Sequence, residues 1–301
     1  MSLYLDHFGL REPPFLITPL TEFFFSGARR GATLEALSHA ILFEEGIVQV
    51  SGEVGSGKTM LCRVLMERLP AAVDTIYLAN PTLAPEVLLQ AIAEELGGGP
   101  QDTRPGAELR HIQEQLIARH GAGRRVVALI DEAHAMPREA LEQIRLLSNL
   151  ETGRHKLLQL VLLGQPELDE LLARRDLRQL KDRITQHFRL DPMTPAEVTE
   201  YLSFRMRAAG YRGPDVFTAR AARRIARASR GFNRRINILA DKALLAAFTE
   251  GGHQVGPRQV ALAEGDVTPA PLRSPWLAPL LAALAGALLL AGGWLAGRGG
   301  P

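Results

Sequence analysis

Thiols are nearly missing from this chain: Cys62 stands alone among 301 residues. That excludes an internal disulfide and fits a reducing compartment. No grouping of Cys and His has the spacing of a zinc site. Aromatic residues are few, 6 % of the total. They do not interleave with the arginines of the C-terminal half, so platforms for stacking nucleic-acid bases are lacking there. Neither sign of charge dominates, because 35 Lys and Arg against 33 Asp and Glu leave a net charge of +2. A generally basic nucleic-acid binder is thereby disfavoured. The opening residues, Met1-Ser2-Leu3-Tyr4-Leu5-Asp6-His7, lack a basic start followed by an apolar run, so no secretory signal is expected. No Asn-Lys-x-Asp box for guanine occurs, and no second motor domain follows to make a helicase. Finally, charge is absent altogether from residue 274 to residue 297.

What is present centres on residues 47–59. The apolar run Ile47-Val48-Gln49-Val50 reads as a strand, and Met60 to Met66 reads as a helix. Between them lies Gly52-Glu53-Val54-Gly55-Ser56-Gly57-Lys58-Thr59, a G-x-x-x-x-G-K-T loop in the strand-to-helix setting that gives the pattern meaning. Glycines let successive backbone N–H groups converge on one point, where the helix N-terminus adds partial positive charge. The spacing predicts a phosphate cradle formed by Gly52 through Met60. Lys58 would reach the terminal phosphates of ATP, and the Thr59 hydroxyl would sit on Mg²⁺.

Upstream, residues 1–31 hold Pro13, Pro14 and Pro19 together with Phe8, Phe15 and Phe23-Phe24-Phe25. Prolines rule out a long helix here. The segment reads either as an arm strapped over the core by its aromatics or as a cover for the nucleotide base. A helix is expected over 32–45. Downstream, strands are expected at 75–79, 126–130, 157–163 and 186–190. Helices are expected at 82–96, 107–120, 136–149 and 167–184, with a loop at 101–105. Such alternation implies an α/β fold with a parallel sheet covered on both faces.

The strand Val126 to Ile130 runs into Asp131-Glu132-Ala133-His134. An acid at the carboxyl end of a buried strand beside a phosphate loop is where a Mg²⁺-coordinating aspartate belongs, so Asp131 is the expected metal-side carboxylate. Glu132 is placed to polarise an attacking water. The bland reading of the pair is a cap for the helix after Pro137. His134 reads as a supporting or capping histidine. Gln165, at the end of the strand 157–163, either hydrogen-bonds the γ-phosphate or attacking water, or is a turn residue before Pro166.

Asp191-Pro192-Met193-Thr194-Pro195 breaks the alternation. The expected organisation is a nucleotide-binding core with its arm at 1–194, a helical lid at 195–265, a linker at 266–275 and a membrane span at 276–297. Lid helices are expected at 195–209, 218–229, 234–249 and 257–263. The second carries Arg220, Arg223, Arg224, Arg227 and Arg230. It reads as a face for nucleic acid or anionic lipid, or more simply as a solvated surface with one nucleotide-sensing arginine. The uncharged run exceeds the ~20 residues that cross a bilayer as a helix. Trp276 and Trp294 stand near its ends as interfacial anchors, and Ala278, Ala282 and Gly286 would allow close helix packing. The competing reading is a buried C-terminal helix. As a tail anchor, the run would contact membrane lipid and hold the large domain on the cytoplasmic side.

Together the phosphate loop, Asp131-Glu132, Gln165, an arginine before the fifth strand and a helical lid resemble the AAA+ superfamily. Within it, Phe8-Gly9-Leu10, Pro14-Phe15, Thr18-Pro19, Leu129-Ile130-Asp131-Glu132-Ala133-His134, Leu146-Leu147-Ser148-Asn149-Leu150-Glu151 and Gly164-Gln165-Pro166-Glu167-Leu168 resemble the general secretion pathway protein A group. The nearest likeness is its branch serving the mannose-sensitive haemagglutinin (type IV) pilus, over residues 3–265. The resemblance implies a P-loop NTPase with a five-stranded core. Arg234 of Gly231-Phe232-Asn233-Arg234 would be the second nucleotide sensor. Arg183 of Leu180-Lys181-Asp182-Arg183-Ile184 would be offered to a neighbouring subunit as an arginine finger, with Arg175 and Arg178 as rivals. It further implies a homo-oligomeric ATPase at the bacterial inner membrane, partnered by pilus or secretion assembly proteins. A DNA-associated ATPase of the origin-recognition or transposition-regulator type shares the same core, as does a nucleotide-gated scaffold with little turnover.

Overall fold

The computed structural model describes residues 3–79, 84–98 and 106–267. The linker from 268 onward and the uncharged run at 276–297 lie outside them, as do the loop at 101–105 and the first two residues of the helix expected at 82–96. Among the described residues no helix is long and apolar enough to cross a membrane.

The proline-rich arm forms only α1 (Leu5–Phe8) and one 3₁₀ turn at Thr21–Phe23. Then follow α2 (Arg30–Phe43), β1 (Ile47–Ser51), α3 (Lys58–Arg68), β2 (Val73–Leu78), α4 (Pro85–Glu95), α5 (Ala107–Gly121) and β3 (Arg125–Ile130). The sheet half ends with α6 (Arg138–Leu147), β4 (Leu158–Gly164), α7 (Glu167–Leu172), α8 (Arg178–Lys181) and β5 (Ile184–Arg189). The lid comprises α9 (Pro195–Ala208), α10 (Ala219–Ser229), α11 (Asn233–Thr249) and α12 (Pro257–Val267).

All strand pairs are parallel, in the order β2-β3-β4-β1-β5. Neighbouring side chains of one strand serve opposite layers. Ala128 and Ile130 of β3 pack into the cluster with Leu88, Ile92, Ile144 and Leu162. Val127 and Leu129 pack into the other with Leu34, Ile41, Val50 and Leu65. Burial on both faces explains why the central strands read as unbroken apolar runs. Cys62 belongs to the second cluster and is fully buried. Register aligns Ser51 with Gly164 and Ile130 with Leu162. The carboxyl ends of β1, β4 and β3 therefore open side by side, at the edge where α/β sheets bind ligands.

One expected helix does not form. Residues 167–184 divide into α7, a 3₁₀ turn at Arg175–Leu177 and α8, because Arg174 is extended. Leu168, Leu172, Leu177 and Leu180 all enter the same cluster. The five-residue step from Leu172 to Leu177 cannot keep both on one face of a continuous helix. Strand β5 begins at Ile184, earlier than expected, and alternates half-buried with exposed residues as the edge strand of the sheet.

The arm packs on the lid. Tyr4, Phe8, Phe15 and Phe23 are buried with Val198, Tyr201, Ile225, Ile236 and Leu244. Each such ring contributes about 2 kcal/mol by leaving water. Helix α9 starts with a complete capping box, Thr194 with Glu197, and Pro195 in its first turn.

Candidate nucleotide site

The loop from Gly52 to Gly57 leaves β1 and enters α3 with Gly55 at φ +77 and Gly57 at φ +101, a backbone region that side chains disfavour. At Gly55 a Cβ would also lie 2.8 Å from the Cβ of Arg234. Lys58 opens α3 and is 5 % exposed. Its ammonium donates to the carbonyls of Gly52 at 2.7 Å and Glu53 at 3.3 Å. Burial pushes the Lys58 pKa down, while Glu132 and Asp131 oppose that shift by favouring the charge.

Asp131 follows β3 and is 3 % exposed. Its Oδ2 accepts from the Thr59 hydroxyl at 2.9 Å and from the Tyr77 hydroxyl at 3.1 Å, and its Oδ1 accepts from the Glu132 N–H at 2.9 Å. Burial and the carboxylate of Asp131 together raise the Tyr77 pKa, keeping that hydroxyl a donor. Glu132 has a left-handed backbone, φ +51, which costs on the order of 1 kcal/mol for a non-glycine residue. This turn aims its carboxylate toward β4. There the Gln165 amide donates to Glu132 Oε2 at 3.3 Å. His134 Nε2 lies 2.7 Å from Gln165 Nε2 and 3.6 Å from Glu132 Oε2. The histidine thus ties Gln165 and Glu132 together, in keeping with a supporting role.

These groups border a cavity of about 470 Å³, within the range typical of small-molecule sites. Lys58, Thr59, Glu132, Gln165 and Arg234 line its polar side. Leu16, Ile17, Pro19 and Phe24 of the arm, with Tyr201 and Asn237 of the lid, line the other. The rings of the arm fasten it to the lid, and Leu16, Ile17, Pro19 and Phe24 wall the cavity. The Arg234 N–H donates to the Gly55 carbonyl at 3.3 Å, joining α11 to the phosphate loop.

Arg183 is not brought to this site. It precedes β5, at the end of the sheet opposite the phosphate loop, and its guanidinium donates to the Ser148 carbonyl at 3.4 Å. Arg175 is exposed, and Arg178 pairs with Asp182.

Two arginines at the site escaped the sequence reading. Arg30, 5 % exposed, donates from Nη2 to the Ser56 carbonyl at 3.2 Å and to Asn233 Oδ1 at 3.0 Å, so it links the loop to the lid. Burial lowers its pKa. Arg205 sits 4.5 Å over the Phe23 ring and donates to Tyr201 Oη and to the Leu16 carbonyl. Beside Arg29 in a polar-flanked helix start, Arg30 carries no local signal that marks it for burial. Arg205 occupies a core position of α9, and that placement was its only signal.

The donor set suits a magnesium nucleotide. Thr59 and Asp131 offer the hard oxygen ligands that Mg²⁺ prefers. Buried Ser56 Oγ and Arg30 Nε at the loop have no partner among the described residues.

Comparison with known proteins speaks to the domain and the fold. Residues 41–172 match the family profile of the AAA domain. It is 41 % identical over 294 residues to general secretion pathway protein A of Aeromonas hydrophila, an alignment covering 97 % of this chain and 53 % of that protein. The chain therefore spans about half the length of this curated relative. Among solved structures, Cdc6p of Pyrobaculum aerophilum superposes with a TM-score of 0.64 at 17 % identity, over 83 % of this chain and 72 % of that one. Drosophila ORC bound to DNA gives 0.63 at 18 %, over 85 % and 64 %. These likenesses establish the AAA+ fold, a five-stranded parallel sheet with a helical lid, which is the P-loop NTPase architecture.

Proposed function

We propose that the chain is a membrane-anchored ATPase that binds and hydrolyses Mg·ATP to support assembly of a type II secretion-like machine or a type IV pilus, as in the mannose-sensitive haemagglutinin branch. The observation that carries the nucleotide part is the junction at the ends of β1 and β3. There the Thr59 hydroxyl meets Asp131 at 2.9 Å beside Lys58, and Glu132 and Gln165 face them across the cavity mouth. The similarity to general secretion pathway protein A supports the machine part. The uncharged run after residue 273 supports the anchor at the bacterial inner membrane, with the AAA domain in the cytoplasm.

In this reading Thr59 and Asp131 hold Mg²⁺, which when bound neutralises phosphate charge and orients it. The backbone of Gly52 to Met60 wraps the phosphates, and Lys58 moves from the Gly52 and Glu53 carbonyls onto them. Glu132 accepts a proton from water, Gln165 orients that water, and Arg234 reports from the lid. Residues 1–194 act as the core with the arm, and residues 195–265 as the lid. Arg183 serves a neighbouring copy in a homo-oligomer, since its position excludes its own cavity.

Calorimetry on the full chain in detergent tests this. Wild type and Glu132→Gln should bind Mg·ATP, Lys58→Ala should not, and Glu132→Gln should lose turnover. No heat of binding with wild type would remove the proposal. Turnover raised by duplex DNA and lost steeply with salt would replace it with the DNA-associated reading.

A further inference from the structure

Helix α10 carries Arg220, Arg223 and Arg227, a three-four spacing that sets them in one row about 10 Å long, and Arg230 follows as the left-handed residue that caps the helix. All four are exposed, while Ala222, Ile225, Ala226 and Ser229 fill the opposite, buried face. Several helix arginines elsewhere meet an acid: Arg138 with Asp176, Arg145 with Glu142, Arg178 with Asp182 and Arg258 with Glu250. Along the α10 row no carboxylate of the described residues lies within ion-pair distance. Only Arg224, beside the row, is matched, by a forked pair to Glu264 at 3.0 and 2.6 Å. Arg220, Arg223, Arg224, Arg227 and Glu264 border a shallow open groove. Like charges crowded on one face repel one another, and the sequence places no acid within α10 to relieve them.

We propose that this arginine row is a docking surface for an anionic lipid bilayer. The proposal rests on the membrane reading given above. Glu264 stands in α12, the last helix before the uncharged run, and only residues 268–273 separate that helix from residue 274. Seven chain steps reach at most about 25 Å, so a run seated in a bilayer keeps the row close to its headgroups. Guanidinium forks match phosphate oxygens in two-point contacts. Near an acidic leaflet each arginine strengthens attachment roughly fivefold. Nucleic acid offers the same phosphates, but the row has no interleaved aromatic residue to hold a base, and nothing tethers it there.

The test uses the full chain with Ala219→Cys, at the exposed start of α10, carrying an environment-sensitive dye. Cys62 is buried and its thiol pKa is raised by that burial, so it stays unlabelled. The protein is placed in vesicles of phosphatidylcholine, alone or mixed with phosphatidylglycerol, containing headgroup spin-labelled lipid. Severalfold stronger quenching in the acidic vesicles, fading with salt, supports the proposal. It should weaken roughly fivefold for each of Arg223→Gln, Arg227→Gln and Arg230→Gln, and survive Arg→Lys at the same positions. Equal quenching in both lipids, or quenching indifferent to the three substitutions, overturns it. Alkaline carbonate extraction, run in parallel, reports on the anchor alone. If the chain is extracted, the membrane reading fails, and the same quenching with protein added from outside still decides the row. If the glutamine variants lose affinity for a short DNA duplex with quenching unchanged, the row belongs to nucleic acid and the proposal is overturned.

Discussion

The two walls of the cavity are built by opposite means. On the sheet side, β1, β4 and β3 end next to one another, and each functional side chain lies within a few residues of its strand: Lys58 after β1, Asp131 and Glu132 after β3, Gln165 after β4. On the lid side, the wall is assembled from segments far apart in the chain. Arg205 reaches back to the Leu16 carbonyl, Asn237 donates to that same carbonyl at 3.1 Å, and Arg30 spans from α2 to Asn233. The sheet wall is rigid because ladders and two buried layers fix it. The lid wall depends on a few buried polar bonds, each worth about 1 kcal/mol. In the proposed function, chemistry belongs to the first wall and adjustment to nucleotide to the second.

Substitutions that sort by wall would sharpen this contrast. The largest effect is expected on the sheet side. Lys58→Ala should abolish measurable nucleotide binding, since Lys58 is the cation that the phosphate loop itself carries, held at the Gly52 and Glu53 carbonyls. Glu132→Gln should leave affinity nearly unchanged while lowering kcat by roughly 10²- to 10⁴-fold, the usual contribution of a positioned base. Stopped-assay phosphate release beside calorimetry separates the two. Equal losses of affinity in both variants would erase the distinction between cradle and base.

On the lid side the expected effect is smaller and of a different kind. Arg30→Met removes both bonds that join Ser56 to Asn233. It should raise KM more than it lowers kcat, and cost about 1–3 kcal/mol of stability by leaving buried acceptors unpaired. Arg30→Lys should recover only part, because an ammonium cannot span both acceptors as the guanidinium fork does. Denaturant midpoints and steady-state kinetics on the same preparations check this. A fall in kcat with KM fixed would move Arg30 to the chemical wall.

The same contrast explains what could be read in advance. The phosphate loop is local, as are the acids ending β3 and Gln165 ending β4; alternation of apolar runs with helices then orders the sheet. Boundaries went astray where tertiary burial overrode local pattern. The five-residue step between Leu172 and Leu177 broke an expected helix, and β5 starts two residues earlier than expected because, at the edge of the sheet, its residues are only alternately half-buried. Arg30 and Arg205 were illegible for a plainer reason. Their partners lie as far as 203 and 191 residues away, and nothing in a basic side chain announces which arginine will be buried.

The smallest effect concerns the hinge side of the lid, where α9 begins. Glu197 accepts from the Thr194 N–H at 2.7 Å, and this bond, the largest influence on it, lowers its pKa from the ordinary 4.5. A depressed carboxylate contributes stability that is complete above the unfolded value and lost as pH falls through the folded one. The loss should therefore begin near pH 4.5 and continue below it. Glu197→Gln keeps a capping side chain but removes the charge, so its melting temperature should track wild type less closely at neutral pH than in acid. The gap at neutral pH should be a few degrees at most, as expected for a cap worth about 1 kcal/mol. Melting curves from neutral to acid pH test the point. If the gap between the two proteins stays constant across that range, the stability of the lid entry does not depend on this carboxylate, and the lid wall is held by Arg30, Arg205 and the aromatic arm alone.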